Sequence, residues 1–371
     1  MTVATLAVNA RFLTQTVSGT QRFAINISRE LKRLRPETIF LSPPEVKNQQ
    51  IATELEAKVI GTRNYRTYQK LKLPADLLWE QFDLPRYLGR HGYPRLLNLV
   101  NLAPYLYTNN IITIHDIVFK LYPQYFSRRF VFLYNTLVPR LARRARHIIT
   151  VSQHSKLDIC NHLLIRPDKV SVVYNAAKLK YSANSQEPPY PWPYILSVGA
   201  LEPRKNIPRL IAAFQQLADK NLRLIITGEG KSHIFKEISS LKSSHKHQQP
   251  ESDRIIFTGF LEDQKLTNLY THAIAFCYPS LYEGFGLPPL EAQTCDCPVL
   301  VSHRTSLPEI FGSSALYCDP EDTDDIANKL RTLIGDQKLR AKLKQAGKKN
   351  CLRFNWKKSA EKIIECCHRT C

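Results

Sequence analysis

SLYEGFGLPPLEAQ, residues 280–293, is the stretch whose reading decides the fold. The apolar run AIAFCYP before it reads as a buried strand. Pro288 and Pro289 suit the first turn of a helix, where a missing N–H costs little. A strand therefore feeds a helix start. The free N–H groups of Gly286, Leu287 and their neighbours point outward at such a start, and with the helix dipole they attract phosphate oxygens. Glu283 precedes that seat and Glu291 lies about one turn inside the helix. Two carboxylates thus flank an anion site and can accept hydrogen bonds from sugar hydroxyls on either side. The layout describes a seat for a sugar diphosphate.

A second segment sharpens this. After the apolar run YILSVG comes ALEPRKN, with Glu202, Arg204 and Lys205 just past the end of an expected strand. Ligands bind at that end in open α/β sheets, and two cations there suit a pyrophosphate. With GALEPRKN and EGFGLPPLE both present, the chain resembles the retaining nucleotide-sugar glycosyltransferases of family 4, and within them the mannosyltransferase-like branch. The resemblance implies an α/β fold of the GT-B type: two facing Rossmann-like domains, a cleft between them, and a last helix returning to the first domain.

It also implies roles. Glu283 and His115 hold the hydroxyls of the transferred sugar, while Arg204 and Lys205 stabilise the departing diphosphate. Glu202, Gly284, Phe285, Gly286 and Leu287 belong to the donor-binding segments, and Glu291 accepts from the ribose hydroxyls. Gly259, Phe260 and Leu261, in TGFLED, lie against the base. Gly19, in the amino-terminal strand, loop and helix VATLAVNARFLTQTVSGTQRFAINISREL, covers the donor phosphates. His115 and Asp116 end a strand in IITIHDIVF; Ser152 and Ser155 stand at a strand-to-helix junction in HIITVSQHSKLDI, where they read as helix caps. After VSVVY the chain has Asn175, Ala176, Ala177 and Lys178, where the family usually shows Asn, Gly and an acidic residue.

Length and composition agree. The 371 residues suit two domains, and 43% hydrophobic residues can fill two cores. Apolar runs at 36–42, 57–61, 111–115, 147–151 and 170–174 serve one sheet; those at 194–199, 222–228, 254–259, 274–279 and 298–302 serve the other. The proline-rich SANSQEPPYPWP separates them. The expected limits are an acceptor-side domain over 1–183, a linker over 184–193, a donor domain over 194–352 and a returning helix over 353–371. Trp356, Ala360, Ile363 and Ile364 carry that helix's apolar face.

Charge is uneven. Residues 1–185 carry 27 Lys and Arg against 11 Asp and Glu, so most of the net +20 lies there. Arg128, Arg129, Arg140, Arg143, Arg144 and Arg146 surround the apolar FVFLYNTLVPRLA. Such a segment suits an anionic membrane surface or a lipid-linked acceptor; a solvated basic helix is the alternative. No recognisable nucleic-acid module accompanies the charge, so nucleic acid is not an expected partner. No apolar run reaches a membrane span and no signal-peptide order opens the chain, so the expected location is cytoplasmic, peripheral at the inner face of the membrane. Nine cysteines, odd in number and scattered, suit a reducing compartment.

No metal or other cofactor is expected. Cys295, Cys297 and His303 are spaced too tightly for a usual zinc site, and Asp322, Thr323 and Asp324 read as a helix start although they spell Asp-x-Asp. Taken singly, Glu283 and Glu291 read as a turn residue and a helix-dipole residue, Arg204 and Lys205 as a charged loop, and His115 as a strand-end histidine. The expected partners are a nucleotide sugar, with GDP-mannose leading, and a glycan or lipid-linked acceptor. Two other readings stay open: a different sugar-nucleotide enzyme on the same scaffold, and a non-catalytic polyanion binder.

Overall fold

Parallel strands are buried on both faces, so their sequences are continuous apolar runs rather than alternating ones. The computed structural model of the chain, which describes residues 6–177, 187–228 and 254–369, contains two sheets built from such runs. The chain divides into two compact units, one of residues 1–175 with 355–371 and one of residues 176–354.

In the first unit the strands are β1 (Leu6–Asn9), β2 (Ile39–Ser42), β3 (Lys58–Val59), β4 (Arg95–Asn98), β5 (Asn110–Thr113), β6 (His147–Thr150) and β7 (Val170–Val172). They lie in the order β3-β2-β1-β4-β5-β6-β7, every pair parallel. Ile112, Ile114 and Ile148 pack with Val138, Leu141, Ile159 and Leu163 from helices Arg128–Arg144 and Gln153–Leu163. Ala7, Leu41 and Leu96 pack with Tyr65, Trp79 and Leu84. Each large aliphatic side chain buried this way contributes about 1.5–3 kcal/mol. The last helix, Trp356–Arg369, lies on helix Gly19–Leu34 within this unit: Trp356 stands edge-on to Phe23 at 6.0 Å, and the Ser359 hydroxyl donates to the Tyr174 carbonyl at 2.7 Å. Ala360 and Ile363 are fully buried, while Ile364 is only half-buried.

The second unit holds β8 (Tyr194–Val198), β9 (Arg223–Thr227), β10 (Ile255–Gly259), β11 (Ala275–Tyr278), β12 (Val299–Ser302) and β13 (Leu316–Cys318). Their order is β10-β9-β8-β11-β12-β13, again all parallel. Both sheets therefore reverse direction once, the first between β1 and β4 and the second between β8 and β11. Such a point is where open α/β sheets bind ligands.

Three strands fall outside the apolar runs read from the sequence: β1, which opens the amino-terminal strand, loop and helix segment, and β4 and β13, which no reading placed. The run at 57–61 yields only the two-residue β3, whose Lys58 and Val59 are both exposed. Residues 178–186, which include Lys178 and the first part of the proline-rich stretch, lie outside the described residues; the described part of that stretch makes no regular element before Tyr194.

Candidate active site

The loops that leave β8 and β11 stand side by side at the second unit's switch point, and they carry the two motifs. Pro203–Lys205 forms a 3-10 turn. It is tied to the β11 loop by backbone, Leu281 N–H donating to the Arg204 carbonyl at 2.8 Å, and by the Arg204 guanidinium on the Tyr282 carbonyl at 3.3 Å. Asn206, in the left-handed region at φ 61°, completes the lacing: its amide donates to the carbonyls of Pro279 at 3.0 Å and Pro320 at 2.6 Å.

This lacing brings four charges together. Lys205 Nζ lies 2.7 Å from Glu283 Oε1 and Arg204 Nη1 3.2 Å from Glu283 Oε2, while Arg204 Nε reaches Glu202 Oε2 at 2.7 Å. Lys205 also donates to the Tyr278 hydroxyl. Glu283 and Lys205 keep only 6% and 7% of their surface exposed, so the pair is screened little by solvent. Burial would raise the Glu283 carboxyl, but Lys205 and Arg204 outweigh it and hold that carboxyl below its ordinary range. Burial and the neighbouring Arg204 lower Lys205, against the pull of Glu283. Glu283 is thus an ionised carboxylate with a cation on each oxygen.

The helix that follows is Leu287–Thr294. Gly286 opens it at φ 95°, and a Cβ there would stand 2.6 Å from Leu307 Cδ2, so both backbone conformation and space require glycine. Pro288 sits in the first turn, as its missing N–H allows. Glu291 lies in the helix and is 5% exposed. Gly284 is buried as well. The Phe285 ring is 4% exposed and stands edge-on to Phe354 at 5.5 Å, so it packs in the core and offers a ligand only its backbone.

At the carboxyl end of β10, Gly259 has φ 71°, Phe260 is 64% exposed and Leu261 is half-buried. An aromatic ring standing open beside a glycine is a surface on which a base can stack. Next to it Gly199 and Gly228, at the ends of β8 and β9, meet backbone to backbone: a Cβ on Gly228 would stand 2.0 Å from the Gly199 carbonyl oxygen.

The remaining candidates belong to the first unit. His115 is 6% exposed; its Nε2 meets the Leu99 carbonyl at 3.0 Å and its ring stands edge-on to Phe23 at 5.0 Å. Burial lowers its pKa from 6.5 to about 4, against the Leu99 hydrogen bond, so the ring is neutral at pH 7. Neutral and donating from Nε2, it keeps Nδ1 as an acceptor. Gly19 is the first residue of helix Gly19–Leu34 rather than a loop residue, and a Cβ there would meet nothing within 4 Å. Ser152 caps helix Gln153–Leu163, accepting from Ser155 N–H at 3.0 Å. In the second unit Asp322 caps helix Thr323–Gly335, accepting from Asp324 and Asp325 N–H. His303 Nδ1 is engaged by the Cys318 carbonyl at 2.9 Å, and no group of three metal-capable side chains occurs among the described residues.

Three participants were not legible as such. Tyr278 reaches Lys205 from inside an apolar run. Thr305 Oγ1 accepts from Glu283 N–H at 3.1 Å, and the Ser306 hydroxyl donates to the Glu283 carbonyl at 2.9 Å, so the glutamate backbone is held from the loop after β12. A hydroxyl pair before a Leu-Pro helix start was the available signal.

Residues 183–350 match the family model described as "Glycosyl transferases group 1", and residues 17–181 the model "Glycosyltransferase Family 4". O-antigen chain mannosyltransferase B of Escherichia coli is 30% identical over 275 residues, 70% of each chain. The chain belongs to the group 1 glycosyltransferases, of mannosyltransferase-like type. The serotype-specific mannosyltransferase WbdA of Escherichia coli is 33% identical over 235 residues, 60% of this chain, which spans 28% of that longer protein. The fold recurs in Anabaena HepE, solved in complex with UDP and glucose, with a TM-score of 0.76 over 98% of this chain and 99% of that one at 18% identity. For this family member the two Rossmann-like sheets are those of the GT-B architecture.

Proposed function

We propose that the protein transfers a hexose, with mannose leading, from a nucleoside diphosphate sugar to a glycan or lipid-linked acceptor in polysaccharide synthesis, with retention at the anomeric carbon. The observation that carries this is the Glu283–Lys205–Arg204 cluster set beside the start of helix Leu287–Thr294, at the switch point. Mannosyl transfer draws support from the relatives' names, and a GDP-linked donor is the leading form. The C1–oxygen bond to the β-phosphate breaks with both electrons going to the phosphate oxygen. Arg204, Lys205 and the helix amides take up that charge without requiring a metal. The acceptor oxygen bonds to C1 from the departing face and its proton passes to the leaving diphosphate. Glu283 orients the sugar hydroxyls, Glu291 accepts from the ribose, and His115 Nδ1 supplies a neutral acceptor for a sugar hydroxyl. Phe260 stacks on the base.

No helix among the described residues is long and apolar enough to cross a membrane. Helix Arg128–Arg144 instead exposes Phe132 at 75% and Leu133 at 38% beside Arg128, Arg129, Arg140, Arg143 and Arg144. That pattern supports reversible adsorption at the inner, anionic face of a membrane. A thermal-shift series with UDP, GDP, ADP and their sugars tests the reading and picks the donor: a ligand at one hundred times its Kd stabilises by about 2.7 kcal/mol. Absence of a shift with every nucleoside diphosphate overturns it.

A further inference from the structure

The first unit has its own switch point, between β1 and β4, and it is filled by polar side chains that no part of the reaction above uses. Asn9 ends β1 and Asn98 ends β4; the Asn9 amide donates to Asn98 Oδ1 at 2.9 Å and to Glu80 Oε1 at 2.8 Å. Arg11 Nε donates to the same Glu80 oxygen at 2.9 Å. Asn98 spends its own amide on Asn110 Oδ1 at 3.0 Å and the Ile111 carbonyl at 3.2 Å. Asn9, Asn98 and Glu80 are fully buried and Arg11 is 8% exposed. Glu80 is delivered by the π-helical turn Trp79–Asp83, a form of helix found most often at functional sites.

The bookkeeping of donors and acceptors leaves two remainders side by side. Glu80 Oε2 is buried with no hydrogen-bond partner. Arg11 Nη1 and Nη2, with four N–H groups between them, have none among the described residues, and the side chain keeps a tenth of its surface open. Tyr134, from helix Arg128–Arg144, lies within electrostatic reach of both: burial raises its hydroxyl, Arg11 lowers it and Glu80 raises it.

The chemistry of the remainders selects the ligand. An oxyanion would satisfy Arg11 and be repelled by Glu80; a cation would do the reverse. A hydroxyl group accepts from one and donates to the other. We infer that Arg11 and Glu80 form a carbohydrate-hydroxyl subsite at the first unit's switch point. Its occupant is the acceptor sugar, a clause that rests on the proposed transferase reading, since the contacts to the donor's base and ribose and the two diphosphate cations are assigned to the second unit. Arg11, which keeps a tenth of its side-chain surface open, is the entrance; a hydroxyl bound there must displace side chains at that edge to reach the buried Glu80 Oε2.

Saturation-transfer difference NMR on the full chain, with methyl α-D-mannopyranoside as probe, tests this. The expected result is millimolar binding that Glu80→Gln and Arg11→Lys each weaken about tenfold or more, the loss of one charge-assisted hydrogen bond, while the Kd for GDP or UDP is unchanged. Should Glu80→Gln fail to fold, Arg11→Lys, which keeps a cation against Glu80, decides alone. Wild-type affinity in the folded variants overturns the subsite. So does the absence of saturation transfer from methyl mannoside, glucoside and galactoside alike, or saturation of the site by inorganic phosphate in a manner that Arg11→Lys abolishes. Sugar binding by a wild-type protein that holds no nucleoside diphosphate would instead sink the transferase reading and leave the subsite standing.

Discussion

Replacing Glu283 by Gln separates binding from chemistry. The change keeps the side chain's shape and removes its charge, leaving Lys205 and Arg204 at 2.7 and 3.2 Å from a neutral amide. Breaking a buried pair by neutralising one partner costs about 3–5 kcal/mol. At about 2–4 °C per kcal/mol for a domain of 150–250 residues, the melting temperature should fall by roughly 6–20 °C. A nucleoside diphosphate restores the missing counter-charge, so its stabilising shift should be larger in the variant than in wild type. Transfer should move the other way. A hydrogen bond from a sugar hydroxyl to a carboxylate contributes about 1.5–3 kcal/mol, so its loss in the transition state lowers kcat roughly 10- to 150-fold. The assay is release of nucleoside diphosphate at saturating donor, run beside a thermal-shift titration. Near-wild-type turnover refutes the role of Glu283, and nucleotide affinity that falls in step with turnover refutes the charge argument.

Arg204→Ala and Lys205→Ala should each weaken nucleoside diphosphate binding more than monophosphate binding, measured by calorimetry; equal losses would point to a general defect of the loop. Transfer should persist in excess EDTA, and abolition by chelator with rescue by manganese would overturn the charge roles given to the two cations. His115 is neutral in the fold, so between its ordinary pKa of 6.5 and its folded value of about 4 the unfolded chain binds more protons. Stability should therefore fall as pH drops through that window, by about 3 kcal/mol from this residue, and urea melts at pH 7 and 4.5 should show a smaller difference for His115→Asn. Replacing Arg140, Arg143 and Arg144 by Gln should reduce sedimentation with anionic vesicles at low salt; undiminished binding would remove the membrane role from that helix.

Most strands were legible because a parallel strand is buried on both faces and so reads as an unbroken apolar run. β4, RLLN, escaped because its ends are polar: Arg95 is buried, and Asn98 spends its amide inside the first unit's polar cluster. β13 is an edge strand in which only Cys318 is buried, so burial on both faces does not mark it. The motif residues were legible because they stand in loops between strong elements, where charge and glycine have no reason of packing to be. Their partners were not. Tyr278 looks like one more core aromatic in FCYP, and only the fold brings its hydroxyl to a lysine 73 positions away. Nor does the motif show that the Phe285 ring serves the core, which only its packing on Phe354 reveals.

The cluster gives a physical reason for a carboxylate in the proposed diphosphate site. Two like charges about 4 Å apart repel by about 4 kcal/mol at an effective dielectric of 20, so adjacent buried cations without a counter-ion would lose a proton or splay apart. Glu283 and Glu202 supply the counter-charges at rest, and the hydrogen bonds of Asn206, Thr305 and Ser306 fix the loops on which they ride. Under the proposed reading, an arriving diphosphate would meet cations already in place and take over part of the work of Glu283. The oxygen so released would face sugar hydroxyls with its acceptor capacity restored. Donor binding would thereby turn a structural counter-ion into a sugar contact, and this is why the Gln variant should bind the nucleotide well and transfer poorly.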